Sequence, residues 1–122
     1  MVAYDTPMET IAVVVFPLCL QFIFGHPNDE VLQGHPLYER GLKHYSVHRI
    51  HNSSRLRAME RANSVHPHHD PRTYLEGKEH FVFTFQDGTL ECLANTAGNS
   101  APRVTVVSNW KEAYALLAAS EA

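Results

Sequence analysis

The sequence predicts an α+β fold: a largely antiparallel sheet of about five strands with two helices, in one domain spanning residues 1–122. Three observations predict it. Apolar runs rich in β-branched and aromatic residues recur at strand length. The stretch "HFVFTFQDGTLECLAN" (80–95) is a pair of alternating runs around Asp-Gly, the strongest short-range hairpin pattern. Two segments, from Ser54 and from Trp110, carry helical spacing behind a capping residue. The predicted order is strand, long loop, strand, helix, loop, hairpin, strand, helix.

Residues 1–9 read as a polar lead-in. Ile11 to Phe16 is β-branched and aromatic, and Leu18 to Phe24 continues extended after Pro17, which cannot donate to a ladder. In the second run Leu18, Leu20, Phe22 and Phe24 alternate with Cys19, Gln21 and Ile23. Both faces are mostly apolar, which predicts a central strand covered on both sides. Residues 25–42 form a long excursion containing "GHP" twice. A short helical turn is expected behind Asn28 or Asp29, and a second from Pro36 to Arg40 that ends at Gly41.

Tyr45 to His51 reads as a strand. Asn52 or Ser53 then caps a helix over Ser54 to Asn63, whose thin apolar stripe leaves its arginines in water. In the hairpin, an Asp87-Gly88 loop would set Phe85 opposite Leu90, Phe83 opposite Cys92, Thr84 opposite Glu91 and His80 opposite Asn95. The phenylalanine face is then core and the other face is polar. Arg103 to Val107 is a short strand. Asn109 caps the last helix with Glu112 as its capping-box partner, and Trp110, Ala113, Tyr114 and Leu117 form the docking stripe.

Composition narrows the function classes. Hydrophobic residues make up 44% and charged residues 19%, so the chain is globular rather than disordered. A formal charge of -3 argues against binding nucleic acid by phosphate neutralisation. No Lys or Arg precedes the apolar run at Ile11 to Phe24, and Pro17 and Gln21 interrupt it. It is therefore read as strand rather than as a signal or membrane segment, and the protein as cytosolic. Cys19 and Cys92 lie in strand-like runs and are read as reduced thiols; a bridge requires those two strands to pair.

All nine histidines fall between His26 and His80. Imidazole titrates near neutral pH and serves as ligand, acid or base, so this clustering points to a site. The first candidate is the loop after the apolar strand, with His26, Asn28, Asp29, His35 and Tyr38 held at a strand end. The second is the polar hairpin face, with His80, Thr84 and Glu91. If that face lines a cavity, burial should raise the Glu91 pKa and suit it to acid–base work. The third is "SVHPHHDP" (64–71), where His66, His68, His69 and Asp70 form a candidate metal set. Proline after His66 and after Asp70 favours extended backbone and diverging side chains, so the loop is read first as a stiff border to a site.

The expected function is a small cytosolic protein whose histidine-rich pocket binds a small polar molecule. Proton transfer of the isomerase, cyclase, lyase or hydrolase type, without an organic cofactor, is its enzymatic form. His26, His35 and Glu91 are the titrating candidates and Asp29 the orienting group. Asn28, Tyr38, His66, Asp70, His80 and Thr84 are the candidate ligand contacts. Two alternatives stand beside it: a non-enzymatic interaction module that pairs with a second copy or another partner, and a histidine-rich metal-binding protein through His66, His68, His69 and Asp70.

Overall fold

The computed structural model describes residues 1–120. It is an α+β fold with two antiparallel sheets, and the described chain divides into two compact units. One unit comprises Met1–Pro17 and the chain from Gly98 onward; the other is Leu18–Ala97. No helix among the described residues is long and apolar enough to cross a membrane.

The first unit holds a three-stranded sheet. β1 (Val2–Asp5) pairs with β2 (Ile11–Val15), and β2 pairs with a late strand, Arg103–Val107, so β2 is central and buried. Its core joins Ile11 and Val13 to Ala113 of the C-terminal helix, with Ala3, Val107 and Leu116 packed around them. That helix, Trp110–Ser120, begins with a capping box, as expected. Asn109 Oδ1 accepts the Glu112 amide at 2.9 Å, and the Glu112 carboxylate reaches back to the Ser108 amide at 2.9 Å. The docking stripe is rotated from the predicted one. Ala113 faces inward, while Tyr114 is exposed and tilts against Trp110.

The second unit carries the four-stranded sheet. Its strands are β3 (Leu18–Gly25), β4 (Val47–Ile50), β5 (Lys78–Thr84) and β6 (Thr89–Asn95), in the order β3-β6-β5-β4. Completing the count, Arg103–Val107 is β7, and the two helices are α1 (Ser54–Asn63) and α2 (Trp110–Ser120). Seven strands replace the expected five or so. One addition lies in the lead-in, where Val2–Asp5 pairs with β2. The other arises at Pro17: with no N–H to continue a ladder, it ends one strand, and the next pairs in the other sheet. β3 is consequently an exposed edge strand and not the central, doubly covered strand its composition suggests.

The hairpin forms between β5 and β6, but its tip is Gln86-Asp87, one position before the expected Asp87-Gly88. Phe85 N–H donates to the Gly88 carbonyl at 2.9 Å, and Thr84 stands opposite Thr89. Neither Asp87 nor Gly88 has positive φ. Glycine is needed at 88 for a different reason: a Cβ there would lie 2.8 Å from the Gly25 carbonyl oxygen at the end of β3. The shift changes every cross-strand pair while keeping the faces. Val82 now opposes Glu91, His80 opposes Leu93, and Phe81 opposes Cys92.

The polar hairpin face is buried rather than open. His80, Val82, Thr84, Glu91 and Leu93 are all inside. Two 3-10 turns, Asp29–Gly34 and Tyr38–Arg40, lay Leu32, Leu37 and Tyr38 over it beside Leu42, Val82 and Ile50. Gly41 ends the second turn at φ 113, the left-handed region that glycine enters freely. Strand β4 is shorter than the predicted Tyr45 to His51 because Tyr45 and Asn52 have positive φ at its two ends. Helix α1 starts where expected, with Ser53 Oγ accepting the Leu56 amide at 3.1 Å, and it buries only Leu56.

Candidate functional site

Glu91 is the centre of the buried polar cluster. Oε1 accepts from His80 Nε2 at 2.8 Å and from Arg55 Nε at 3.0 Å. Oε2 accepts from His35 Nε2 at 3.3 Å and from Arg55 Nη2 at 3.4 Å. Four donors thus meet two oxygens, which saturates an ionised carboxylate.

The chain positions each donor through local geometry. His80 lies diagonal to Glu91 across the β5–β6 ladder, within reach because of the two-residue shift in pairing. Ser53, the N-cap of α1, sits 2.7 Å from His80 Nδ1 while accepting the Leu56 amide. A Ser53 hydroxyl donated to Nδ1 leaves His80 Nε2–H to face Glu91. His35 follows the first 3-10 turn, and its Nδ1 accepts the Leu37 amide at 3.0 Å, which puts its proton on Nε2 toward Glu91. Arg55 projects from the first turn of α1 and keeps its outer end in solvent, its side chain being 45% exposed.

Burial alone would raise the Glu91 carboxyl. The hydrogen bonds from His80 and Arg55, the Arg55 charge and the His35 bond outweigh it and bring the pKa down from 4.5 to about 2. This overturns the expected upward shift. Desolvation acts as predicted, but its effect is smaller than that of four convergent donors. Glu91 is therefore an anchor that orients His35, His80 and Arg55, and not a proton donor at neutral pH.

An acid-stability prediction follows from the sign of that shift. The folded state binds a proton at Glu91 less readily than the unfolded chain, so the stabilisation is present above pH 4.5 and is lost as pH falls toward 2. Full conversion of the shift gives at most ~3–4 kcal/mol, and solvent screening of Arg55 reduces the expected loss to about 2 kcal/mol. Urea denaturation between pH 6 and pH 2.5 reads it (roughly the span of the titration). Glu91→Gln should flatten this slope; an unchanged slope would show that other carboxylates carry it.

Beside this cluster opens a cavity of about 1040 Å³, entirely within the Leu18–Ala97 unit. His35, His80 and Glu91 form part of its wall. Arg40, Arg49, Arg55 and Arg57 line it, with His48 and His51. Glu91 takes Arg55, and Arg49 pairs with Glu79 at 3.2 Å. Arg57 donates to the Asn52 carbonyl at 3.0 Å and to its side-chain oxygen. Arg40 pairs with no acid among the described residues. The four guanidiniums thus face two carboxylates and the cavity retains positive charge. The histidines differ in freedom. His48 accepts the Lys43 amide at 3.1 Å through Nε2 and donates to the Val82 carbonyl at 3.2 Å through Nδ1. His51 has no hydrogen-bond partner among the described residues.

The remaining candidates are placed elsewhere. His26 is exposed and outside the cavity lining. Asp29 does not orient His35: its carboxylate accepts the Tyr45 hydroxyl and holds that phenol above its ordinary pKa. Asn28 leaves its side-chain oxygen buried without a partner among the described residues. Tyr38 packs on the Leu32 and Val82 cluster. Thr84 ties β5 to the loop that precedes β4, donating to the Lys43 carbonyl at 2.7 Å and accepting the Ser46 amide at 2.9 Å.

The histidine loop also lies outside the cavity lining. The His66 and His68 rings lie tilted to one another at 52°, 5.8 Å between centroids. His69 donates to Glu60 at 2.9 Å and accepts from the Asn63 amide, also at 2.9 Å. Asp70 is paired with Arg72, which lowers its pKa. Among the described residues no group of three or more His, Cys, Asp or Glu is placed to hold a metal ion.

From the sequence alone Arg55 and Arg57 are among the arginines that the thin-striped helix leaves in water, and Ser53 is only a cap. The adjacency of a capping serine and a helix arginine was visible; their partners, His80 and Glu91, are distant in the chain. Comparison of the chain with protein-family models, with curated proteins and with solved structures returns no match.

Proposed function

We propose that the chain is a small-molecule-binding domain whose ligand carries a carboxylate or phosphate group, held in the arginine-lined cavity. One observation carries this reading: four guanidiniums share a cavity whose only lining carboxylate among the described residues, Glu91, is already saturated. Guanidinium matches both anions with paired donors. The Glu91 cluster fixes Arg55, so part of the ordering cost is met before the ligand arrives. Where the ligand is also transformed, His51 is the imidazole suited to proton transfer, because its ring nitrogens are engaged by none of the described residues. His35, His48 and His80 each use both nitrogens internally. A cytosolic setting agrees with two cysteines present as thiols.

The test is an NMR titration with inorganic phosphate and with citrate at constant ionic strength. Saturable shifts of the His51 imidazole are expected, with affinity lowered about tenfold in Arg40→Gln and in Arg57→Gln, about 1.4 kcal/mol each. Absence of saturation with both anions, or affinity unchanged from the wild type in both variants, would remove the reading.

A second reading, self-association, is favoured by β3. This edge strand has no charged residue, and Phe22 and Phe24 are 70% and 60% exposed. Its unpaired backbone edge is self-complementary, so a second copy can add antiparallel across a two-fold axis. Sedimentation velocity should show a dimer that Phe22→Glu dissociates. A wild-type monomer up to ~100 µM would end this reading.

A further inference from the structure

We infer that Cys19 and Cys92 form a reversible intramolecular disulfide when the chain meets a thiol oxidant. The two residues lie on neighbouring strands, β3 and β6, with their sulfur atoms 3.5 Å apart. Both belong to the Leu18–Ala97 unit.

A bulge in β3 makes the pair possible. Cys19 stands opposite Ala94 and Phe22 opposite Cys92, so the three-residue step from 19 to 22 meets only a two-residue step from 94 to 92. In an unbroken strand residues 19 and 22 point to opposite faces, which would separate Cys19 from Cys92 across the sheet. The extra residue turns Cys19 onto the Cys92 face, diagonal to it. A disulfide needs sulfurs about 2.05 Å apart, so the pair must close by about 1.5 Å. β3 can supply that movement, because it is hydrogen-bonded on one side only and its side chains are exposed.

The two thiols have different parts in the reaction. Cys19 is exposed and meets the oxidant; Cys92 is buried. Burial and the contact with Cys19 push the Cys92 thiol up to about 12, so it is a poor first nucleophile. With a low-molecular-weight disulfide RSSR as oxidant, the Cys19 thiolate attacks one sulfur, forming Cys19–S–S–R and releasing RS⁻. Cys92 then loses its proton and attacks the Cys19 sulfur, expelling the second RS⁻. The two protons from the cysteines end on the two released thiolates. The chain is oxidised by two electrons and RSSR is reduced to two RSH. The product closes the segment between β3 and β6 and ties the edge strand to the sheet interior.

The experiment incubates the full chain with oxidised glutathione, quenches in denaturant with an alkylating agent, and reads intact and peptide masses. The expected product has lost about 2 Da, takes up no alkylating agent, and yields a Cys19–Cys92 cross-linked peptide. Its thermal midpoint should rise by roughly 5–15 °C and fall back on reduction. Cys19→Ser, a change at an exposed position, should leave a chain that alkylates at Cys92 and gains no thermal shift. A lasting glutathione adduct at Cys19, a disulfide between two chains, or two alkylated thiols after oxidation would each overturn the inference.

Discussion

Replacing Glu91 by alanine is expected to cost the Leu18–Ala97 unit about 3–5 kcal/mol, the largest effect of any single polar substitution in it. The loss is not the value of four hydrogen bonds added together. It reflects what remains behind: His35 and His80 keep inward-facing N–H groups with no acceptor, and Arg55 loses its counter-charge beside them. Both imidazoles are buried, so water replaces the acceptor poorly. Glu91→Gln should lose less, about 2–3 kcal/mol, because its carbonyl still accepts from one side. Its amide then opposes a donor wherever it is turned, since both carboxylate oxygens now accept two bonds each. Urea denaturation of the two variants, with Arg55→Met and the double variant completing a cycle, measures this. A Glu91→Ala loss below about 1 kcal/mol, or additive losses in the cycle, would mean that the cluster is not an energetic unit.

The sequence made part of this cluster legible. His80 and Glu91 fall on one face of an alternating hairpin with either two-residue loop, at Gln86-Asp87 or at Asp87-Gly88, and parity then places them together on it. Their contact was not legible. With Asp87-Gly88 at the tip they would stand two pairs apart along the ladder, whereas the observed tip at Gln86-Asp87 makes them diagonal neighbours. The glycine that suggested the wrong tip is required by the approach of the Gly25 carbonyl, a tertiary fact that no local pattern encodes. Helix α1 was readable to the residue because a serine cap acts on its own first turn. The partner of Arg55 was not, since a charged side chain at a helix start is compatible with Glu60, five residues on, and with Glu91. In fact Glu60 takes His69.

β3 shows the limit most plainly. Alternation separates Cys19 from Phe22 in an ideal strand, and only the bulge reunites them. Apolar composition on both faces argues for a central strand, yet the position of a strand in a sheet depends on which segments pair with it. Pro17 is the informative residue here. It marks the break, but it does not say that the chain leaves one sheet for another. His26 and Asp29 were drawn into the predicted site by proximity to His35 in the chain. The structure separates them because Asp29 is committed to Tyr45 on one side and, through its backbone, to Gln86 on the other.

Leu32→Ala is expected to lower stability by about 3 kcal/mol and to weaken anion binding at the same time. Leu32 is fully buried in the first 3-10 turn and packs with Leu42 and Val82, the contact that seats the loop on the sheet. Truncation removes apolar burial and leaves a hole beneath a segment with little regular structure of its own. The site is affected because the Leu32 carbonyl accepts the His35 amide at 2.9 Å, so the same turn that buries Leu32 aims His35 at Glu91. Loosening it should spread the His35 imidazole resonance or move it toward the free value, and lower phosphate or citrate affinity several-fold through loss of pre-organisation. Val31, its neighbour, is exposed, and Val31→Ala should stay within about 0.5 kcal/mol of the parent. Equal losses at positions 31 and 32 would deny the turn its part in seating the loop. A large loss at 32 with unchanged His35 signals would separate the core under Leu32 from the placement of the histidine, and would leave Glu91 to hold His35 unaided.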